Sequence, residues 1–457
     1  MIRLMSAYFP RRILLLGMSE SCLVVLAFVA AAVARLGSTD ASVMLVYEQG
    51  LVRILVLSAA FVLCMYYFDL YDSSVLSNKR EVVTRLIQVL GTVSILLAFL
   101  YYIYPPLEIG RGIFAVGLVI VAITLTLWRR LFFSINARPE FAERAVIFGD
   151  APVGQLLLDE VAARPELGLR IVAHISEDVS DLGKSPCSEL VTLVASQRVN
   201  RIILAMQERR GRLPVEHLLR LKNRGVNIQD GALLYEAVTG KVLHEAWLIG
   251  GLLFSSRMHP LHVTQTVKRV SSFFVAALGL VIGLPLLLII GPAIKLTSKG
   301  SIFYKQQRVG RDNQLFDCYK LRTMRNDAEA KTGAVFAIDR DPRVTPVGRC
   351  LRTLRLDEVP QLWNVVKGDM NLVGPRPERP EFVQLFDREI PYYNLRHTTP
   401  PGITGWAQVS YGYGSSLYDT KQKLGYDLFY IKNMSQGLDL LILFQTIKIV
   451  LLGRGAK

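Results

Sequence analysis

The sequence predicts three parts in succession: a membrane α-helical bundle, a Rossmann-like α/β domain, and a second α/β domain entered through a re-entrant membrane helix. Three observations carry this. Four apolar runs fill the first third of the chain. Strand-like and helix-like segments then alternate. A fifth, longer apolar run has basic residues at both ends.

The four runs are Ile13–Ala34, Leu51–Phe68, Leu86–Tyr104 and Ile113–Trp128. Each is near the ~20 residues that cross a bilayer core, so residues 1–135 read as a four-helix transmembrane bundle. The first run is too long for a cleaved signal peptide and is followed by three more. Arg3, Arg11 and Arg12 precede it, Lys79, Arg80 and Arg85 separate the second and third runs, and Arg129, Arg130, Arg138 and Arg144 follow the fourth. The other two loops are poor in Lys and Arg, which puts both ends of the bundle on the cytoplasmic side.

Residues 143–250 alternate strand and helix patterns: "RAVIFGDAPVGQLLLDEVA", "LRIVAHIS", "NRIILAM" and "PVEHLLRLKNRG". Such alternation predicts a parallel sheet. The first turn, Gly149 to Gly154, lacks GxGxxG spacing, and Asp150 would set a negative charge beside a pyrophosphate. The domain therefore reads as structural or regulatory. No YxxxK pair marks it as a nucleotide-sugar dehydratase.

The fifth run, within 270–296, is long enough to span. Lys268 and Arg269 precede it, and Lys295 and Lys299 close it, so both ends are expected on the cytoplasmic side. Gly283 and Pro285 sit mid-run, where proline removes a backbone donor. A re-entrant hairpin is the expectation, carrying a domain over 268–457.

Bulk composition agrees. Of 457 residues, 51% are hydrophobic and the net charge is +15. That is too apolar for an ordinary soluble enzyme. The cation excess calls for an anionic partner, and apolar spans beside basic runs favour lipid and phosphate over nucleic acid. Cys22, Cys64, Cys187, Cys318 and Cys350 form no CxxC pair, so neither a disulfide framework nor a zinc site is expected.

The chemistry lies after the hairpin. Arg308, Lys320 and Arg322 sit in a strand-like, aromatic-rich stretch suited to phosphate at a membrane surface. In "RLDEVPQLWNVVKGDMNLVGPRP", Asp357 is an N-cap residue type, Pro360 suits a first helical turn and Gly368 a stop. The two acids point apart on such a helix, so distinct roles are expected: Asp357 a nucleophile kept ionised by the helix N-terminus, Glu358 a holder of a divalent cation. Asp369 is a further metal candidate. Arg352 lies five residues before Asp357, and Arg376 stands between two prolines, preorganised to clamp a phosphate.

"YKLRTM", "RLDEVPQLWNVVKGDMNLVGPRPERPEF", "PGITGWAQV" and "KLGYDLFYIKNMS" closely resemble the bacterial sugar transferase family, monotopic polyprenyl-phosphate hexose-1-phosphate transferases, over about Lys268–Lys457. The whole chain resembles the family's long form, which starts exopolysaccharide or O-antigen assembly. The resemblance implies an α/β monotopic transferase domain at a bacterial inner membrane, with its active site on the cytoplasmic face. It implies Asp357 as nucleophile, Glu358 with Mg²⁺, Arg352 and Arg376 in the site, and a re-entrant helix. UDP-hexose, undecaprenyl phosphate and polysaccharide assembly proteins are the implied partners, and a homodimer through the middle domain is open. One departure matters: after "WAQV" relatives often carry an Asn-Gly-Arg-like run, and here Ser410 to Gly414 holds no cation. The sugar is therefore left open, glucose or galactose first. Two rival readings stand beside this one: a membrane scaffold of polysaccharide synthesis and a nucleotide-sugar dehydratase.

Overall fold

The computed structural model describes residues 1–76, 78–136, 138–176, 186–206, 213–243, 262–325, 341–412, 414 and 416–453. The end of the predicted middle domain, 244–250, lies outside them. Two compact units result. One is Met1–Ile2 with Phe9–Gly231, the other Arg3–Tyr8 with Ala232–Lys457.

A short hairpin, β1 (Ile2–Leu4) and β2 (Ala7–Phe9), opens the chain. The first unit then contains helices α1 (Arg11–Leu36), α2 (Ser38–Val46), α3 (Gly50–Tyr67), α4 (Ser73–Leu76), α5 (Lys79–Ile103) and α6 (Arg111–Asn136). Four of them, α1, α3, α5 and α6, are long and apolar enough to cross a membrane. Phe28, Ile54, Leu57, Phe61, Val89, Val93 and Val121 fill their common core. Gly117 lets α6 approach α1, because a Cβ there would lie 2.3 Å from the Phe28 ring. Glu20 and Arg129 form a buried ion pair at 2.5 Å, and Arg129 also donates to the Leu70 carbonyl at 3.1 Å. An acid inside the first apolar run is tolerated because a cation meets it.

The same unit holds four parallel strands in the order β4-β3-β5-β6: β3 (Glu143–Phe148), β4 (Leu169–Ile175), β5 (Arg201–Leu204) and β6 (Asn227–Asp230). Helices α7 (Pro152–Ala163), α8 (Pro186–Gln197) and α9 (Val215–Asn223) follow β3, β4 and β5 in turn, and α10 (Gly231–Thr239) follows β6. Val146, Phe148, Ile202 and Leu204 line the sheet's core. The order reverses between β3 and β5, where such sheets place a ligand crevice.

The second unit is organised on α11 (His262–Thr297), a 36-residue helix. The expected hairpin over 270–296 is corrected here: helix is continuous through Pro285 and Pro292. A stripe at three- and four-residue spacing explains this. Arg269 donates to the carbonyls of Val365 and Val366. Ala276 packs on Val365 and Met370. Cβ positions at Gly279 and Gly283 fall 3.0 and 3.2 Å from Leu362 and Val359. Ile290 and Ile294 pack with Leu321 and Leu351. Each proline removes one helical bond, but the docked stripe runs on through both. The opposite face is apolar and exposed, with Leu278, Val281, Ile282 and Ile289 all at least 60% accessible.

Around α11 lie an antiparallel hairpin, β7 (Phe303–Val309) with β8 (Leu315–Leu321), and a parallel pair, β9 (Asn371–Val373) with β10 (Gly402–Thr404). The remaining helices are α12 (Pro346–Thr353), α13 (Gln361–Lys367), α14 (Pro380–Glu389), α15 (Trp406–Ser410), α16 (Leu417–Asn433) and α17 (Gln436–Leu451).

Candidate active site

Asp357 and Glu358 occupy a 3-10 turn, Leu356–Glu358, entered through Arg355 in the left-handed region at φ 58°. Helix α13 begins four residues after Asp357, with Pro360 at its N-cap position and Gly368 at φ 108° as its stop. Asp357 is therefore not the N-cap of α13, which corrects the sequence expectation. A proline after two turn residues delays the helix start.

Asn364 fixes α13 against β8. This fully buried amide accepts from the Tyr319 N–H at 3.0 Å and donates to the Asp317 carbonyl at 2.6 Å. The lock places Lys320 of β8 beside the turn. Its ammonium donates to Glu358 Oε1 at 3.1 Å, and Arg376 Nη2 donates to the same oxygen at 3.0 Å. Burial opposes the Glu358 charge, but Lys320, Arg376 and Arg355 overcome that and hold its carboxyl far below the usual range. Among the described residues no donor meets Glu358 Oε2.

Asp357 differs. It is 9% exposed, and no side chain among the described residues donates to its carboxylate. Burial pushes its pKa above the ordinary aspartate value, and Lys320, Arg352 and Arg376 pull it back only in part. In place of the expected helix terminus, Asp357 has buried surroundings and nearby cations. A carboxylate in such surroundings is more basic and poorly hydrated, which are properties of a nucleophile.

The structure separates the predicted phosphate-binding residues into two groups. Lys320 and Arg376 donate to Glu358 in the turn, while Arg352 donates to the Thr323 hydroxyl at 3.0 Å and lowers the Asp357 pKa by its charge. Arg308 and Arg322 serve the backbone. Arg308 donates to the Pro377 carbonyl at 3.0 Å and to Gln306 at 2.6 Å. Arg322 donates to the carbonyls of Ser298 and Lys299 at 2.7 and 2.9 Å, capping the C-terminal end of α11. Charge density in the sequence does not distinguish these two uses.

Glu358 precedes α13 and Asp369 follows it. Asp369 is met by Asn364 at 3.1 Å and Lys367 at 3.2 Å. No cluster of three or more metal-ligating side chains occurs among the described residues. Mg²⁺ commonly takes one or two carboxylates and completes its shell with phosphate oxygens and water. Glu358, with one oxygen not engaged by a described donor, fits that habit.

Asn364, Arg396 and Asp427 were not singled out from the sequence. Arg396 pairs with Asp427 at 2.9 Å, both buried, and donates to the Arg376 carbonyl at 2.9 Å. Only the "RH" before "TTPPGITG" could have drawn attention to Arg396.

Residues 263–453 match the bacterial sugar transferase family, and residues 66–229 match a family described as a CoA-binding domain. A UDP-N-acetylgalactosamine-undecaprenyl-phosphate N-acetylgalactosaminephosphotransferase of Aeromonas hydrophila is 46% identical over 49% of this chain. The chain spans about half of that relative's length, 52%. A UDP-glucose:undecaprenyl-phosphate glucose-1-phosphate transferase of Klebsiella pneumoniae is 32% identical over 67% of this chain and 68% of its own. The exopolysaccharide production protein ExoY of Rhizobium meliloti is 38% identical over 41% of this chain and 87% of its own.

The described turn at the β3–β5 crevice does not fit CoA. The N–H groups of Gly149, Ala151 and Gly154 are all used, by the carbonyls of Ile175, Ala205 and Ala151 at 2.8–2.9 Å. A Cβ at Gly149 would lie 2.5 Å from the Ala205 carbonyl, and α7 starts on Pro152, which has no N–H. The Asp150 carboxylate at the mouth accepts from Ser176. A diphosphate would meet an acid and few free donors there. The Klebsiella match and the turn, strand and Pro-Arg-Pro segments together settle the assignment of the chain: it belongs to the bacterial sugar transferase family, in its long form.

Proposed function

We propose that this chain transfers a hexose-1-phosphate from a UDP-sugar to undecaprenyl phosphate, releasing UMP and opening exopolysaccharide or O-antigen synthesis. The observation that carries the reading is the contrast within one turn: Asp357 buried with no described donor, Glu358 gripped by Lys320 and Arg376. Relatives named for this reaction support it.

An Asp357 carboxylate oxygen attacks the sugar-bearing phosphorus. The bond from that phosphorus to the bridging oxygen breaks, and UMP leaves with the electron pair. A phosphate oxygen of the polyprenyl phosphate then attacks the same phosphorus and displaces Asp357 as carboxylate. Lys320, Arg352 and Arg376 offset charge on the phosphate oxygens, and Glu358 keeps two of these cations aimed at the turn. Mg²⁺ would be held by Glu358 and would add charge neutralisation at the diphosphate.

The finer membrane reading is that both ends of α11 stay on one side of the membrane. The domain contacts it from Arg269 to Ile294, while its outer face is apolar, so the helix lies at the interface at the cytoplasmic face of the inner membrane. Cysteines placed at Gln265 and Lys299 are expected to label from the cytoplasmic side; labelling from opposite sides would establish a spanning helix. The parallel sheet is read as a Rossmann-like domain without cofactor, suited to a homodimer or assembly-protein contact.

The deciding experiment measures UMP release by purified protein given undecaprenyl phosphate, Mg²⁺ and a panel of UDP-sugars. Release by wild type and not by Asp357→Asn supports the proposal and names the sugar. Equal release by both removes Asp357 from its role, and no release with any donor favours the scaffold.

A further inference from the structure

The Pro-Arg-Pro loop is held more completely than its prolines require. Four consecutive carbonyls each accept a donor from a different place. Pro375 accepts from the Gly402 N–H at 3.0 Å and Glu378 from the Val309 N–H at 2.9 Å. Between them, Arg376 accepts from Arg396 Nη2 at 2.9 Å and Pro377 from Arg308 Nη1 at 3.0 Å. The two central donors are side chains. Arg396 is 6% exposed, and its other groups are also used: Nε meets Asp427 at 3.1 Å and Nη1 the Tyr393 hydroxyl at 2.6 Å.

A buried guanidinium is costly unless a carboxylate and several acceptors meet it. Here the acceptors are Asp427 and Tyr393, and the remaining donor goes to the backbone of Arg376, whose guanidinium donates to Glu358. Asp427 lies on α16, outside the Pro-Arg-Pro segment, so a second element sets the loop's position. We propose that Arg396, anchored by Asp427 and Tyr393, is a positioning residue that fixes the Arg376 backbone, so that the Arg376 guanidinium meets Glu358 and the donor's phosphates in one geometry. Arg308 performs the same service one residue later. Proline stiffness limits the loop's torsions, and the clamp limits where the loop sits.

The kinetic part rests on the transfer reaction proposed above; the clamp does not. The test is a double-mutant cycle. Arg396→Lys keeps charge but loses the planar fork, and a misplacement near 1 Å can cost about 10²-fold. UMP release by Arg396→Lys is expected to fall by about that factor in kcat/KM. In an Arg376→Ala background the same substitution is expected to change the rate less than about 2-fold, because Arg396 then has nothing to position. Equal losses in both backgrounds would overturn the proposal.

Amide exchange gives the activity-independent arm. In Arg396→Lys, exchange at Gly402 and Val309 is expected to rise at least 10-fold. Tyr319, whose N–H goes to Asn364, serves as the unchanged control. No rise at Gly402 and Val309, or an equal rise at Tyr319, overturns the clamp even if no donor is ever turned over. Should Arg396→Lys fail to fold, Tyr393→Phe removes one anchor and is expected to act in the same direction with a smaller effect.

Discussion

Two turns lead into helices with an acidic residue at the junction: Asp150 before α7, and Asp357 with Glu358 before α13. In the first, the backbone closes on itself. Ala151 donates to Ala205, Ala205 to Phe148, and the His174 ring meets the Gly149 carbonyl at 2.8 Å. In the second, three cations converge on the acids from β8, α12 and the Pro-Arg-Pro loop. An acid at a helix entrance is a common capping feature. At the second turn, distant segments deliver charge to the acids.

The largest effect should break that comparison if it is wrong. Asp357→Asn is expected to lower UMP release by on the order of 10³-fold or more. Asp150→Asn is expected to leave it within about 2-fold. A comparable loss from Asp150→Asn would mean that the first turn also serves the reaction.

A second pair sharpens the metal assignment within the same unit. Glu358→Gln is expected to cost about 10²-fold, because Lys320 and Arg376 lose their shared carboxylate. It should also raise the Mg²⁺ concentration needed for half-maximal rate. Asp369→Asn is expected to change the rate less than about 3-fold, since its ion pair with Lys367 is partly exposed. A rightward Mg²⁺ curve for Asp369→Asn alone would restore that residue as a ligand.

Much of this was legible in the sequence. Hydropathy marks the apolar helices, because a bilayer-length run has few other uses. The strand–helix alternation places three of the four parallel strands, β3, β4 and β5, and leaves β6 unmarked. The adjacent acids and the proline-bound arginine are local patterns, and both lie at the site. Illegible were the properties that depend on packing. Arg308 and Arg322 look like Lys320 in the sequence, yet they donate to backbone carbonyls. Asn364 reads as one more polar helix residue, and its role exists only once β8 lies alongside. The break expected at Pro285 followed from local chemistry, and a docking stripe spread over 25 residues overrode it.

The smallest expected effect tests the electrostatics of Asp357, the nucleophile proposed above. Asp357 must be ionised to attack, so the rate is lost as pH falls through its pKa in the folded protein. Burial raises that pKa above 3.8, while Lys320 is the strongest charge lowering it. The acid limb of UMP release should therefore lie above pH 3.8 in the wild type. Lys320→Met removes the lowering charge and should move the limb to higher pH. The measurement is a single turnover without polyprenyl phosphate, so that the acceptor's own phosphate titration does not enter. Under that condition the second-order rate constant for UMP release reports the free protein. A limb unmoved by Lys320→Met would place the titrating group elsewhere, and one moved to lower pH would reverse the sign assigned to Lys320. Since Lys320 also holds Glu358, Glu358→Gln serves as the control: removing that carboxylate lowers the Asp357 pKa, and its acid limb should move down.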